Sequence, residues 1–254
     1  MSERCHLREI TQSPEFFVRS AALTMSVSKA ADAAEVSAVL HDVVSLLDAD
    51  GAAFASFIKD DESYASYRFI LACDANWCLE YENGACYMHD PWLEYARHLA
   101  EPVLAERIAA RTDRERAVVE LAHRFGFASA VIVPAQAPQG LTRLGALCLG
   151  SAQEGYFDAE TLPAVTHMAT SLAMRLHEWQ TAQLRQDLLD LARLSEEDLE
   201  LLRHERQGHR SKHIALALNM TAMSVDSRWQ RLNAKLGVSS RTAAANLAAE
   251  YGLV

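Results

Sequence analysis

Proline punctuates the first two thirds of this chain and is missing from the rest: all six prolines lie at or before Pro163. Proline interrupts helix interiors and central strands alike, because it lacks a backbone donor and its ring clashes with the preceding turn. The segment after Pro163 is therefore free to be helical throughout, and it is rich in helix formers. The segment before it is mixed. Apolar residues in EVSAVLHDVVSLL recur at offsets of three and four, which predicts helix within residues 14 to 48. The runs GAAFASFI, SYRFILAC, SAVIVPAQ and LGALCLG carry small, β-branched and aromatic residues between Gly, Asp or Pro, and they are predicted strands. Helical patterns lie between and after them, in DPWLEYARHLA, TDRERAVVELAHRFG and the long stretch from Asp158 to Leu194. The sum is a sheet with helices on its faces, a layout that places a small-ligand pocket between the two layers.

After Ser195 the pattern changes to four short helices. EEDLELLRHERQG closes at Gly208, SKHIALALN is read as capped by Ser211, TAMSVDSRWQRLNAKLG runs from Thr221 to Gly237, and SRTAAANLAAEYG follows. Ser195 with Asp198 reads as a capping-box relative opening the first of them. This organisation predicts a domain over 1–186, a linker over 187–194 and a second domain over 195–254.

The net charge of −10 argues at first against nucleic acid as a partner. It is unevenly spread. From Leu194 onward eight Lys and Arg face seven Asp and Glu, +1 in all, so the remainder carries −11; from Lys212 the balance is five basic to two acidic. A DNA contact is permitted there, though charge alone does not require one. In the third helix Val225, Trp229, Leu232 and Leu236 share one face and are expected core, which turns Asp226, Gln230 and Arg231 outward with Arg228 and Lys235 beside them.

This segment resembles the LuxR-type helix-turn-helix domain. LSEEDLELLRHERQG is similar to that family's opening helix, and HIALALNMTAMSVDSRWQRLNAKLGVSSR reproduces its Ile-Ala, the Ser224-Val225 pair and the Lys-Leu-Gly-Val end at Lys235 to Val238. The resemblance implies DNA binding through Lys212, Thr221, Ser224, Asp226, Ser227, Arg228, Gln230, Arg231 and Lys235. Two departures stand out: Glu197-Asp198 replaces the usual Arg-Glu, and Arg228 replaces a common histidine. An acid at Asp226 can read a cytosine amino group and Gln230 an adenine, so an idiosyncratic target sequence is expected.

The stretch NWCLEYENGACYMHDPW, Asn76 to Trp92, has a plain structural reading: Trp77 and Tyr81 share a helix face, and Asp90 before Pro91 opens the next helix. Ahead of a LuxR-type domain, however, Trp-x3-Tyr-x8-Asp-Pro is similar to the motif of quorum-sensing regulators that bind N-acyl-homoserine lactones. The resemblance implies that Trp77 donates to the lactone carbonyl, Asp90 accepts from the amide N–H, and Tyr81 packs on the acyl chain or bonds to its carbonyl. It also implies an α+β fold, an N-terminal α-β-α sandwich around a central antiparallel sheet and an all-α four-helix domain behind it. A homodimer on a two-fold DNA site is implied, as is an RNA polymerase partner. Asp90→Ala is then expected to abolish ligand response with the unliganded fold largely intact. PAQAPQGLTRLGALCLG looks like the family's central strands. The pocket walls differ: Ala105 stands where a Trp is expected, Ala130 where a Gly is, Cys148 where a hydrogen-bonding Ser or Thr is common, and Cys86 with a shifted Tyr87 where a Tyr often lies. A longer or bulkier acyl lactone, or another amide-containing or aromatic signal, would suit that change.

Other readings have less behind them. The five cysteines, Cys5, Cys73, Cys78, Cys86 and Cys148, are irregularly spaced without a CxxC pair, so reduced, mostly buried thiols are expected, and a thiol sensor would draw on the four near Trp77 and Cys148. A ligand-independent regulator is an alternative. A lactone or amide hydrolase lacks a G-x-S-x-G elbow, a metal motif or a phosphate loop. His209 and His213 are four apart but show no third ligand in the sequence, so neither a metal nor a cofactor is expected. With no run of about 18 apolar residues and no apolar stretch in MSERCHLREI, neither a membrane span nor a signal peptide is expected, and the cytoplasm is the expected compartment.

Overall fold

The computed structural model describes residues 7–58, 66–136 and 143–254. Cys5 and the part of PAQAPQGLTRLGALCLG at 137–142 lie outside them. Among the described residues the chain forms two compact units that meet in sequence between Trp179 and Gln180.

The first unit opens with α1 (Leu7–Gln12), α2 (Pro14–Val27) and α3 (Ala33–Leu46). The helical pattern of residues 14 to 48 is thus two helices, because the Asp32 side chain accepts from the Glu35 amide and starts a new one. The strands are β1 (Gly51–Ile58), β2 (Arg68–Ala72), β3 (Val103–Leu104), β4 (Ser129–Gln136) and β5 (Arg143–Ser151), in the order β2-β1-β5-β4-β3 with every pairing antiparallel. Both faces of this sheet are covered. Alternate residues serve different layers: Phe54, Ile70, Val131, Val133, Leu147 and Leu149 pack with α2, α3 and the long α7 (Leu162–Ala192), whereas Ala53, Ala55, Ala130, Ile132 and Ala146 face α4 (Ala75–Asn83), α5 (Pro91–His98) and α6 (Asp113–Arg124).

The two faces of the sheet differ in the balance of side-chain sizes. On the α7 side Ala52, Ala72 and Ala135 stand among Phe54, Ile70, Val131, Val133, Leu147 and Leu149. On the α4–α6 side four alanines stand where large residues would close the gap, so the aromatic residues of the helices descend toward the sheet. Phe127 reaches it: a Cβ at Gly150 would stand 2.1 Å from the Phe127 ring and one at Gly51 3.1 Å from it, so glycine at these two positions lets the ring lie on the strands.

The second unit adds α8 (Glu196–Arg206), α9 (Ser211–Ala217), α10 (Ala222–Leu236) and α11 (Arg241–Glu250) to the end of α7. The expected capping box of Ser195 and Asp198 is formed, and Thr221 caps α10. Gly208 and Gly237 take the left-handed conformation, at φ 74° and 67°, where helices end. Val225, Trp229 and Leu232 are buried with Leu199, Leu202, Ile214 and Ala245. One expectation fails: the N-cap of α9 is Arg210, without a side-chain bond, because the Ser211 hydroxyl points across to Asp226 instead.

Candidate functional site

Trp77 and Tyr81 leave α4 one turn apart, their ring centroids 5.0 Å apart, and Phe69 of β2 meets both edge-on. Asp90 is buried at the start of α5. Its Oδ1 accepts from the amides of Trp92 (2.8 Å) and Leu93 (3.3 Å), and its Oδ2 accepts from the Tyr81 hydroxyl (2.8 Å). The helix cap and the bond to Tyr81 therefore use different oxygens of one carboxylate.

Burial raises the Asp90 pKa, against the pull of the hydrogen bonds from Tyr81, Trp92 and Leu93. Burial also raises the Tyr81 hydroxyl well above the usual phenol value, with the Asp90 charge adding to it. Tyr81 is thus a fixed donor to Asp90. Trp77 is the opposite case: its Nε1 is buried and has no hydrogen-bond partner among the described residues. A buried orphan donor costs about 1–3 kcal/mol.

These three side chains line a cavity of about 40 Å³ with Ala53, Ala55, Phe69, Trp92, Phe127, Ile132, Ala146 and Cys148. That volume suits a few water molecules, well short of the roughly 300 Å³ and more of small-molecule pockets. Beyond Asp90 lies an open groove of about 1040 Å³ that also touches Tyr67, Tyr87, Tyr95 and Arg97. A drug-sized ligand would have to part the aromatic layer from the sheet.

The structure brings Trp77, Tyr81, Asp90 and Cys148 to the cavity wall. Ala105, Ala130 and Cys73 share the hydrophobic cluster but do not line the cavity; Ala130 is paired with Gly150, against which the Phe127 ring lies. Phe127, Phe69, Ala53, Ala55 and Ala146 were not singled out in the sequence, although the alternating alanines of GAAFASF were the available signal. As for the thiols, burial pushes Cys73 up to about 12 and Cys78 up to about 11, and raises Cys86 and Cys148 as well. A thiol at 12 is ionised to only ~10⁻⁴ at pH 8, so Cys73 is expected to react with iodoacetamide orders of magnitude more slowly than free cysteine. Labelling at the free-thiol rate would reopen the sensor reading.

In the second unit the outward face of α10 is largely as expected. Ser227, Gln230 and Arg231 are exposed, as is Lys212 on α9, with no hydrogen-bond or ion-pair partner among the described residues. Ser224 and Thr221 share a hydrogen bond at the helix start. Three others are engaged. Asp226 accepts from Ser211 (3.0 Å) and pairs with Arg241 (2.6 Å), and the Arg241 bond, then the Ser211 bond, holds its carboxyl below the usual range. Lys235 pairs with Asp198 (2.6 Å), and Arg228 pairs with Glu197. His204 joins His209 and His213 as a third imidazole, Nδ1 to Nδ1 2.8 Å from His209, yet among the described residues no three His, Cys, Asp or Glu side chains are arranged to hold a metal ion. No described helix is long and apolar enough to cross a membrane.

A sheet sandwiched by helices, with a Trp-Tyr-Asp cluster between one face and its covering helices, defines a small-molecule-binding domain. Residues 32–179 match the family model of the autoinducer binding domain, and the chain belongs to that family, whose members are transcription regulators and not enzymes. The fold is shared with solved LuxR-family structures. SdiA in complex with octanoyl-rac-glycerol matches with a TM-score of 0.67 at 18% identity, over 95% of this chain and 98% of that one. A crystal structure of Escherichia coli SdiA matches at 0.66 and 18%, over 94% and 98%. The N-acylhomoserine-lactone-dependent factor CepR2 of Burkholderia cenocepacia matches at 0.53 and 14%, over 64% and 95%. No curated protein matches in sequence.

Proposed function

We propose that the chain is a signal-responsive transcription regulator: the first unit binds an N-acyl-homoserine lactone or a related amide, and the second binds a two-fold DNA site as part of a homodimer. The unpartnered Trp77 N–H carries this reading. Trp77 lines a cavity that also holds Asp90, a buried carboxylate whose hydrogen bonds come from Tyr81 and two backbone amides. A donor lacking an acceptor, beside an acceptor able to take one more donor, fits a ligand carrying a carbonyl and an N–H, as an acyl-amide lactone does. CepR2, which shares the fold, is N-acylhomoserine-lactone-dependent and supports a signal of this kind, whereas SdiA was solved with octanoyl-rac-glycerol, an acyl ester that carries no N–H. Because the cavity is small and lined mostly by apolar side chains, a ligand entering it would add its own apolar contacts to the core and stabilise the unit by mass action.

Trp77→Phe tests the reading. The variant keeps an aromatic ring against Tyr81 and removes a donor that has no partner among the described residues, so its unliganded stability should stay within about 1 kcal/mol of the parent or rise. In a melting-temperature panel of acyl-homoserine lactones of increasing chain length, the parent should shift upward with at least one and Trp77→Phe should shift markedly less. An equal shift in both proteins would remove Trp77 from the site. A flat panel for the parent would count against the lactone signal itself.

A further inference from the structure

The opening turn of α8 carries Glu196, Glu197 and Asp198, and the acids face different partners. Glu196 pairs with Arg203 of its own helix (2.8 Å). Asp198 is mostly covered: it closes the capping box with Ser195 and pairs with Lys235, so it holds α8 to α10. Glu197 has no part in the cap. It is 65% exposed and its carboxylate meets the guanidinium of Arg228 on α10, between the outward Ser227 and the core Trp229. An exposed pair of this kind contributes roughly 0–1 kcal/mol to stability, so it can be exchanged for another anion at little cost.

We infer that Glu197 is an internal competitor for the DNA phosphate backbone: it occupies Arg228 in the free protein and must be displaced when that guanidinium meets a phosphate. The inference rests on the DNA-binding reading of α10. Phosphate contacts supply most of the sequence-independent affinity, and base contacts supply the selectivity. The second unit has little positive charge to spare, and Lys235 is already committed to Asp198. With Arg228 held as well, Arg231 is the basic residue of α10 left without a partner among the described residues. Glu197 therefore lowers binding to arbitrary DNA more than binding to a site whose base contacts repay its displacement, and it acts as a specificity determinant without touching DNA.

The test uses the full chain and a fluorescent 30-base-pair duplex of random sequence, titrated at several salt concentrations. Glu197→Gln should bind roughly two- to five-fold more tightly than the parent at about 0.1 M salt, with a steeper decline against salt. Glu196→Gln removes the same charge from a side chain that does not meet α10, and Glu197→Gln/Arg228→Gln removes the guanidinium as well. The inference holds if the gain appears in Glu197→Gln, is much smaller in Glu196→Gln, and is lost in the double variant. It is overturned if both single variants gain equally, which would be a general charge effect, or if Glu197→Gln gains nothing while the parent binds. Absence of binding by every protein, with folding confirmed by circular dichroism, would overturn the DNA reading on which it stands.

Discussion

Asp90→Ala should lose both stability and response to signal, whereas Asp90→Asn should lose mainly the response. The alanine variant strips the N-cap from α5, a loss of about 0.5–2 kcal/mol, and leaves the buried Tyr81 hydroxyl without its acceptor, about 1–3 kcal/mol more. Removing a carboxylate from the interior returns part of this, so a net loss of about 2 kcal/mol is expected. The motif alone implied that this variant would keep its unliganded fold largely intact; the two-oxygen geometry of Asp90 revises that expectation. Asparagine keeps one carbonyl oxygen for the Trp92 and Leu93 amides and offers Tyr81 an amide group, but it no longer has a second acceptor for a ligand N–H. Urea unfolding of the unliganded proteins separates the two substitutions, and the lactone melting panel reads the response. An Asp90→Asn protein with the parent's lactone shift would show that Asp90 is not the ligand's acceptor.

Acid should weaken the first unit through His177. This residue of α7 is 4% exposed, and its Nδ1 has no hydrogen-bond partner among the described residues. Burial, with the nearby Arg143 charge adding to it, lowers its pKa from 6.5 to about 4. In the unfolded chain the imidazole takes up a proton near 6.5, and in the folded protein it resists until about 4. Stability is therefore fully present above about pH 6.5 and is lost as the pH falls toward 4. The shift corresponds to about 3 kcal/mol over that window. Denaturant unfolding at a series of pH values between 7 and 4 should show this decline, and His177→Gln, which cannot protonate there, should flatten it. Equal pH slopes in the two proteins would place the acid sensitivity elsewhere.

Much of the architecture was legible because it depends on local chemistry. Ser195 and Thr221 start their helices with side-chain oxygens that accept backbone amides, as their place in the sequence implies. The four predicted strands occur as β1, β2, β4 and β5, since alternation of side chains is written along one strand. The two-residue β3 has too few residues to carry a period, and it exists because β4 offers Val131 and Ile132 as partners. The family resemblance likewise followed from spacing: Trp77, Tyr81 and Asp90 do meet.

What spacing could not decide was which atom of each group was already in use. Tyr81 already donates to Asp90, the Trp77 donor has no acceptor among the described residues, and Asp226 and Arg228 bond to Arg241 and Glu197, far from them in sequence. The cavity was also beyond the sequence, because its size depends on how far Phe127 sinks onto Gly51 and Gly150 across two strands. Hydrogen-bond saturation and packing are pairwise properties of residues that the chain separates, so the sequence by itself determined which groups compose the site, and only the tertiary structure decided which of them are still free to bind.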